Sequence, residues 1–301
     1  MEKIDKEDLK KKSHKLGLLF ILQLSSLLFT APILFNLGFY NTINMFILNN
    51  LVFIAIACIL FSCDFKKMFL KKSDINILEA IFYIFFFFSL YLILTSLINN
   101  LLPFIYNVKM EEADAVLKLF IIGGIAIPIA EEIVYRGILL EALRKYGDLF
   151  AVFVSALIFG MLHLSKLPHT FLAGIFMGIL YVRSNNLIYP ILMHIFNNLF
   201  FSSFVFWVED AFNTNNMNLA SLISLIICIF IASILYIILK KKNSREVENI
   251  RISKVKEIFE RFKEDSEKRK IFFNTGTVII SLVLYFLVLS AEVNMILSNL
   301  N

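Results

Sequence analysis

The chain has 301 residues, 59% of them hydrophobic and 18% charged, with a formal net charge of +5. Soluble domains are roughly 45–50% apolar, and the excess here lies in unbroken blocks of about 20 residues, the length of a helix that crosses a bilayer. An ordinary water-soluble enzyme is excluded, and so is a nucleic-acid binder, because the small positive balance sits in the loops of one side rather than in a basic patch.

The expected class is all-α: a polytopic transmembrane helical bundle of about eight to nine spans. The first apolar block, 17–39, follows a Lys-rich start and is too long for a signal-peptide core, so it is expected to stay in place as a span. Further spans are expected at 43–63, 77–98, 115–142, 149–166, 169–183, 187–208, 218–240 and 271–297. The sixth is short for a full crossing. Cys58, Cys63 and Cys228 lie in apolar blocks without metal-type spacing and read as small buried hydrophobes.

Charge placement supports the count. With the N-terminus in the cytoplasm, Lys3 to Lys15, Lys66 to Lys72, Arg144 with Lys145, Arg183 and the group from Lys240 to Lys270 all fall on the cytoplasmic side. Lys109 and Lys166 fall on the other, with Lys118 near it and with the acidic Glu111, Glu112, Asp114, Glu209 and Asp210. The positive-inside rule is met at every loop when the sixth block crosses. Residues 1–240 and 271–301 thus form one expected membrane domain. Residues 241–270 repeat apolar side chains at helical spacing among Lys, Arg and Glu. They read as a basic amphipathic helix on anionic lipid or as a solvated linker helix.

The fourth span carries charges that lipid does not favour. Residues 130–137 read AEEIVYRG, and one charge at a span centre costs about 2.5–3.5 kcal/mol on insertion scales. Glu132 and Arg136 are four apart, share a helix face and can pair. Glu131 is turned about 100° away and is less well served by that arginine. The fifth span contains FGMLH, with Phe159 and His163 one turn apart, and the seventh contains HIFNN, with His194 and Asn198 one turn apart. At 1.5 Å per residue, Glu131, His163 and Asn198 lie roughly 17–20 Å from the cytoplasmic ends of their spans and His194 roughly 10 Å.

That inventory suits amide hydrolysis without a serine or cysteine nucleophile. A carboxylate in a dry site activates water, imidazoles share the proton or ligate zinc, and an imidazole with a carboxamide can donate to an oxyanion. Alone, an intramembrane His or Asn is more often a packing residue, and a Glu–Glu–Arg cluster can be a folding clasp or proton relay. Tyr135 and Ser155 are expected to be structural.

EEIVYR, FGMLH and HIFNN, in this order, fit E-E-x-x-x-R, F-x-x-x-H and H-x-x-x-N. Together they resemble the type II CAAX prenyl endopeptidases, also called the CPBP or Abi family of intramembrane proteases, over about residues 115–205. The resemblance implies a bundle of about eight helices with an intramembrane catalytic cavity open toward the cytoplasm. It implies Glu131 as the base for water with His163 assisting, His194 and Asn198 as the oxyanion pair, and Glu132, Arg136 and Phe159 in support. Family members are classed as metalloproteases, and a metal-free glutamate mechanism is also argued for them. Glu131, His163 and His194 would be the ligands of a zinc ion, though no H-E-x-x-H motif is present.

The implied substrate is a membrane-embedded or lipidated peptide, as in CAAX trimming or bacteriocin-related processing, at a bacterial cell membrane. Two other classes use the same residues: a non-catalytic membrane scaffold or immunity protein, and a proton-coupled transporter, which would normally show repeats or paired half-helices.

Overall fold

In a computed structural model, residues 5–36, 42–62, 68–69, 71–101, 122–201, 211, 217–242 and 266–298 are described. Among these the secondary structure is helical and no strand occurs. The first helices are α1 (Lys6–Asn36), α2 (Thr42–Phe61) and α3 (Ile77–Leu101). A composite stretch follows: a π-helix (Ile122–Ala126), α4 (Ile127–Glu132), a second π-helix (Ile133–Leu140), α5 (Glu141–Leu143) and a 3-10 turn (Arg144–Tyr146). Then come α6 (Asp148–Met161), α7 (Leu167–Ser184), α8 (Ile188–Phe196) with a π-helix (Asn197–Phe201), α9 (Met217–Lys242), α10 (Ser266–Phe273) and α11 (Gly276–Ser298).

Among the described residues three helical segments are long and apolar enough to cross a membrane: Ile77–Ile98, Leu219–Lys241 and Gly276–Asn294. Asn50–Phe61 and Asp148–Met161 are shorter apolar segments. On α9, Ile226 and Phe230 are 58% and 64% exposed, and on α11 Phe286 and Leu287 are 62% and 60% exposed. Continuous apolar faces of this kind are rare on soluble monomers and match a lipid environment. The chain is an integral membrane protein by this criterion.

Contacts divide the chain into two compact units. One comprises Met1–Phe65, Ala130–Gly178 and Ile258–Asn301; the other comprises Lys66–Ile129 and Ile179–Glu257. In the first, α1 begins on an aspartate cap, with the Asp8 amide donating to Asp5 Oδ1 at 3.0 Å. Its apolar face buries Leu16, Leu19, Phe20 and Leu24. It crosses α11 so closely at Gly17 that an added Cβ would stand 2.6 Å from the backbone of Thr277. Helices α6 and α7 also pack at small residues, with a Cβ at Gly174 placed 3.0 Å from that of Ala156.

In the second unit, α3 opens with a reciprocal cap between Asn76 and Glu79, whose two hydrogen bonds are 2.9 and 3.1 Å. Its aromatic face packs on α9, burying Phe82 with Ala232 and Leu239, and Phe88 and Leu92 with Cys228. Phe196 of α8 meets Phe85 and Phe88 edge-on, with centroids 5.5 and 5.4 Å apart. Cys228 is a buried small side chain, as its apolar setting suggests.

The helices depart from the expected spans in three places. The fourth is not one α-helix, because π-turns interrupt it on both sides of the glutamates. The fifth stops at Met161 instead of running to 166. The ninth is broken at Asn274 and Thr275 between α10 and α11. Most of the 241–270 segment, residues 243–265, lies outside the described residues, as does Cys63.

Candidate functional site

The first unit holds the motif residues of the fourth and fifth spans. Glu131 and Glu132 close α4, and Arg136 follows in the second π-helix. Such π-segments are uncommon and occur often at functional sites. Arg136 Nη1 donates to Glu132 Oε1 at 2.7 Å, and both side chains are 0% exposed. Its Nη2 donates to the carbonyl of Gly174 on α7 at 3.0 Å. The guanidinium also lies over the Phe159 ring, 4.8 Å from its centroid. Charge, two hydrogen bonds and a π-face offset much of the cost of burying this cation, while its Nε is buried without a hydrogen-bond acceptor among the described residues.

Glu131, the other carboxylate, is half-buried. Arg136 and Tyr135 both lie within its electrostatic reach, and the ion pair of Arg136 at 2.7 Å is with Glu132.

His163 is one turn beyond Phe159, as expected, but it lies in the turn after α6 rather than inside a helix. Its Nδ1 is 2.9 Å from the Phe159 carbonyl. A carbonyl only accepts, so this hydrogen bond places a proton on Nδ1 and leaves Nε2 turned away from it. The imidazole rests against the Phe159 ring at 4.7 Å, and Tyr135 meets the same ring edge-on at 5.2 Å. Phe159 is therefore the common wall between the arginine, the tyrosine and the histidine.

Sequence reasoning missed two contributors. Gly174 supplies a carbonyl to Arg136, a contact between distant segments with no local signature. Gln23 donates from Nε2 to the Tyr135 hydroxyl at 3.0 Å. A lone amide within an apolar span was a signal that could have found it. Ser155 has the structural role expected of it, donating to the Tyr135 carbonyl at 2.7 Å.

The second unit holds His194 and Asn198. His194 is buried at 4% exposure in the last turn of α8. Asn198 lies in the following π-helix and is exposed, its Nδ2 donating to the Gly123 carbonyl at 3.2 Å. A carboxamide has two N–H donors, and Gly123 takes one.

A zinc site needs three protein ligands together. Among the described residues no group of three His, Cys, Asp or Glu side chains is close enough to hold a metal.

Comparison with known proteins bears on the same segment. Residues 113–200 match the model of a family described as "Type II CAAX prenyl endopeptidase Rce1-like". All three motifs, from Glu131 to Asn198, fall inside the match. A Bacillus subtilis protein described as "Putative membrane peptidase YdiL" is 35% identical over 95 residues, which are 30% of this chain and 38% of that protein. The chain thus spans well under half the length of this relative. No solved structure matches the chain. The resemblance carried by the motifs therefore holds for this segment.

Proposed function

We propose that this chain is an intramembrane endopeptidase that hydrolyses a peptide bond in a membrane-embedded or lipidated substrate. The observation that carries the reading is the division of labour between adjacent glutamates. Glu132 is fully buried and neutralised by Arg136 at 2.7 Å, whereas Glu131 is half-buried beside it. A water molecule can reach the second carboxylate and not the first.

In this mechanism Glu131 takes a proton from water while the water oxygen attacks the scissile carbonyl carbon. His163 assists through Nε2, because Nδ1–H is held by the Phe159 carbonyl. The carbonyl π-electrons move to oxygen, forming an oxyanion. His194 and Asn198 are assigned to stabilise it by N–H donation, an assignment that rests on motif order and donor chemistry. Collapse of the tetrahedral intermediate breaks the C–N bond, and the proton held by Glu131 passes to the leaving amine. The basic loops support a cytoplasmic N-terminus, and the Bacillus relative supports a bacterial cell membrane. A CAAX-type or bacteriocin-related peptide is the substrate class to try first.

The test is cleavage of lipidated and membrane-embedded peptides by the purified chain in proteoliposomes. Wild type is compared with Glu131→Gln, His163→Ala and His194→Ala, with and without a chelator. Wild-type cleavage by Glu131→Gln would overturn the assignment of the base. Loss of activity on chelation, restored by zinc, would replace the metal-free mechanism with a metal-assisted one. Proton-driven flux without cleavage would favour a transporter, and partner binding unchanged in Glu131→Gln would favour a scaffold.

A further inference from the structure

The first unit contains a second polar feature, built around the basic first turns of α1. Lys15 Nζ donates to the Leu60 carbonyl at 2.6 Å, Lys12 Nζ to the Ala142 carbonyl at 2.7 Å, and Thr277 Oγ1 to the His14 carbonyl at 3.1 Å. These bonds bring the basic turn of α1, the last turn of α2, α5 and the first turn of α11 to one level. In the sequence this is the level at which polarity changes. On α1, KEDLKKKSHK gives way to LGLLFIL; on α2 the apolar run ends at Phe61; on α11 it begins after Gly276.

A cavity of about 740 Å³ opens at that level. Lys10, Lys11, Lys12, His14 and Lys15 line it from α1, with Gly276 at the start of α11. Two acidic residues, Glu7 and Asp8, also line it, and both are engaged. Asp8 accepts from the Tyr146 hydroxyl and pairs with Lys145, and Glu7 is 3.8 Å from Lys11. Four lysines against two carboxylates leave the lining positive.

The cations have hydrogen-bonding capacity to spare. An ammonium carries three N–H donors, and the carbonyls of Ala142 and Leu60 take one each from Lys12 and Lys15. Burial pushes the Lys12 ammonium below the usual lysine range, and the nearby charge of Lys145 pushes it the same way. The start of α11 adds the positive end of a helix dipole. Immediately below, Leu18 and Leu22 on α1 are 37% and 38% exposed, and Ile279 and Ile280 on α11 are 46% and 53% exposed.

We propose that this cavity binds the phosphate of an anionic phospholipid headgroup, with the acyl chains lying along the exposed apolar faces of α1 and α11. The charge complementarity selects an anion, and the apolar faces adjoining the lysines select one carried on a lipid. Phosphate oxygens accept from the ammonium groups of Lys10, Lys11, Lys12 and Lys15 as point charges.

The test uses the full chain in dodecyl maltoside, titrated with dioctanoyl phosphatidylglycerol, dioctanoyl phosphatidylcholine or sodium phosphate and followed by native mass spectrometry and thermal melting. Saturable binding of one phosphatidylglycerol is expected, with little from the other two. Lys12→Gln/Lys15→Gln should weaken it about tenfold or more. Lys10→Gln/Lys11→Gln should also weaken it, and this variant leaves both lysine–carbonyl bonds intact, so the test stands even if the first variant fails to fold. Lys240→Gln/Lys241→Gln removes the same charge elsewhere and should leave the affinity unchanged. Equal binding by all these variants, or equal binding of phosphatidylcholine, would overturn the proposal. Full competition by inorganic phosphate would overturn the lipid assignment.

Discussion

Arg136 and Glu132 are joined by a 2.7 Å hydrogen bond in surroundings that leave neither side chain any exposed surface. Removing one partner of such a pair strands a buried charge and costs about 3–5 kcal/mol. Arg136→Met and Glu132→Gln should each lower the thermal midpoint in detergent steeply. Glu132→Leu/Arg136→Met should recover part of the loss, because it leaves no charge behind. A midpoint for Arg136→Met equal to wild type would show that the pair does not hold the fold.

Glu131→Gln should behave in the opposite way. The side chain is half-buried and the substitution keeps its shape, so the melting curve should be nearly unchanged. Peptide cleavage should fall by about 10²–10⁴, the usual contribution of a general base. A variant that loses stability as steeply as Glu132→Gln would mark Glu131 as structural instead.

Gly174 is a third point of leverage. An added Cβ would stand 3.0 Å from the Cβ of Ala156 and 3.2 Å from the Phe159 ring. The carbonyl of the same residue accepts from Arg136 at 3.0 Å. Gly174→Val should destabilise the protein by about 1–3 kcal/mol through overpacking, measured by thermal melting. It should also slow cleavage, since Phe159 supports His163. Unchanged melting and cleavage would show that α6 and α7 can separate at no cost.

Asp8 supplies a pH-dependent tie outside the membrane spans. Hydrogen bonds from Lys145 and then Tyr146 hold its carboxyl below the ordinary aspartate value. The charged form is therefore favoured in the folded state. Its contribution is fully present above about pH 4, the unfolded value, and is lost as pH falls through the lower folded value. The stability difference between wild type and Asp8→Asn should be constant near neutrality and shrink below pH 4. A difference that grows on acidification would contradict the sign. The effect should be small, because the site is close to solvent.

The candidate site was partly legible because parts of it follow from local geometry. Glu132 and Arg136 pair because residues four apart meet on a helix, and the ion pair forms although the helix widens to a π-helix after Glu132. Phe159 and His163 also meet at this spacing, although His163 lies in the turn that follows α6. The tautomer of His163 was not legible, because it depends on α6 ending at Met161 and leaving the Phe159 carbonyl to the imidazole. Gln23 and Gly174 were not placed in the site either, since their partners lie 112 and 38 residues away along the chain. Spacing alone cannot report such contacts.

By itself the sequence determined an all-helical membrane protein and its unusual charges, because lipid admits long apolar helices and penalises every exception. It also determined the three ordered motifs that the family match covers. Only the tertiary structure decided how deeply each carboxylate is buried and that Gly174 and Gln23 join the site. It likewise decided where the lysines of α1 meet the ends of α2, α5 and α11. Those outcomes depend on how closely particular helices approach, which is set by small residues such as Gly17 and Gly174 packing against distant partners.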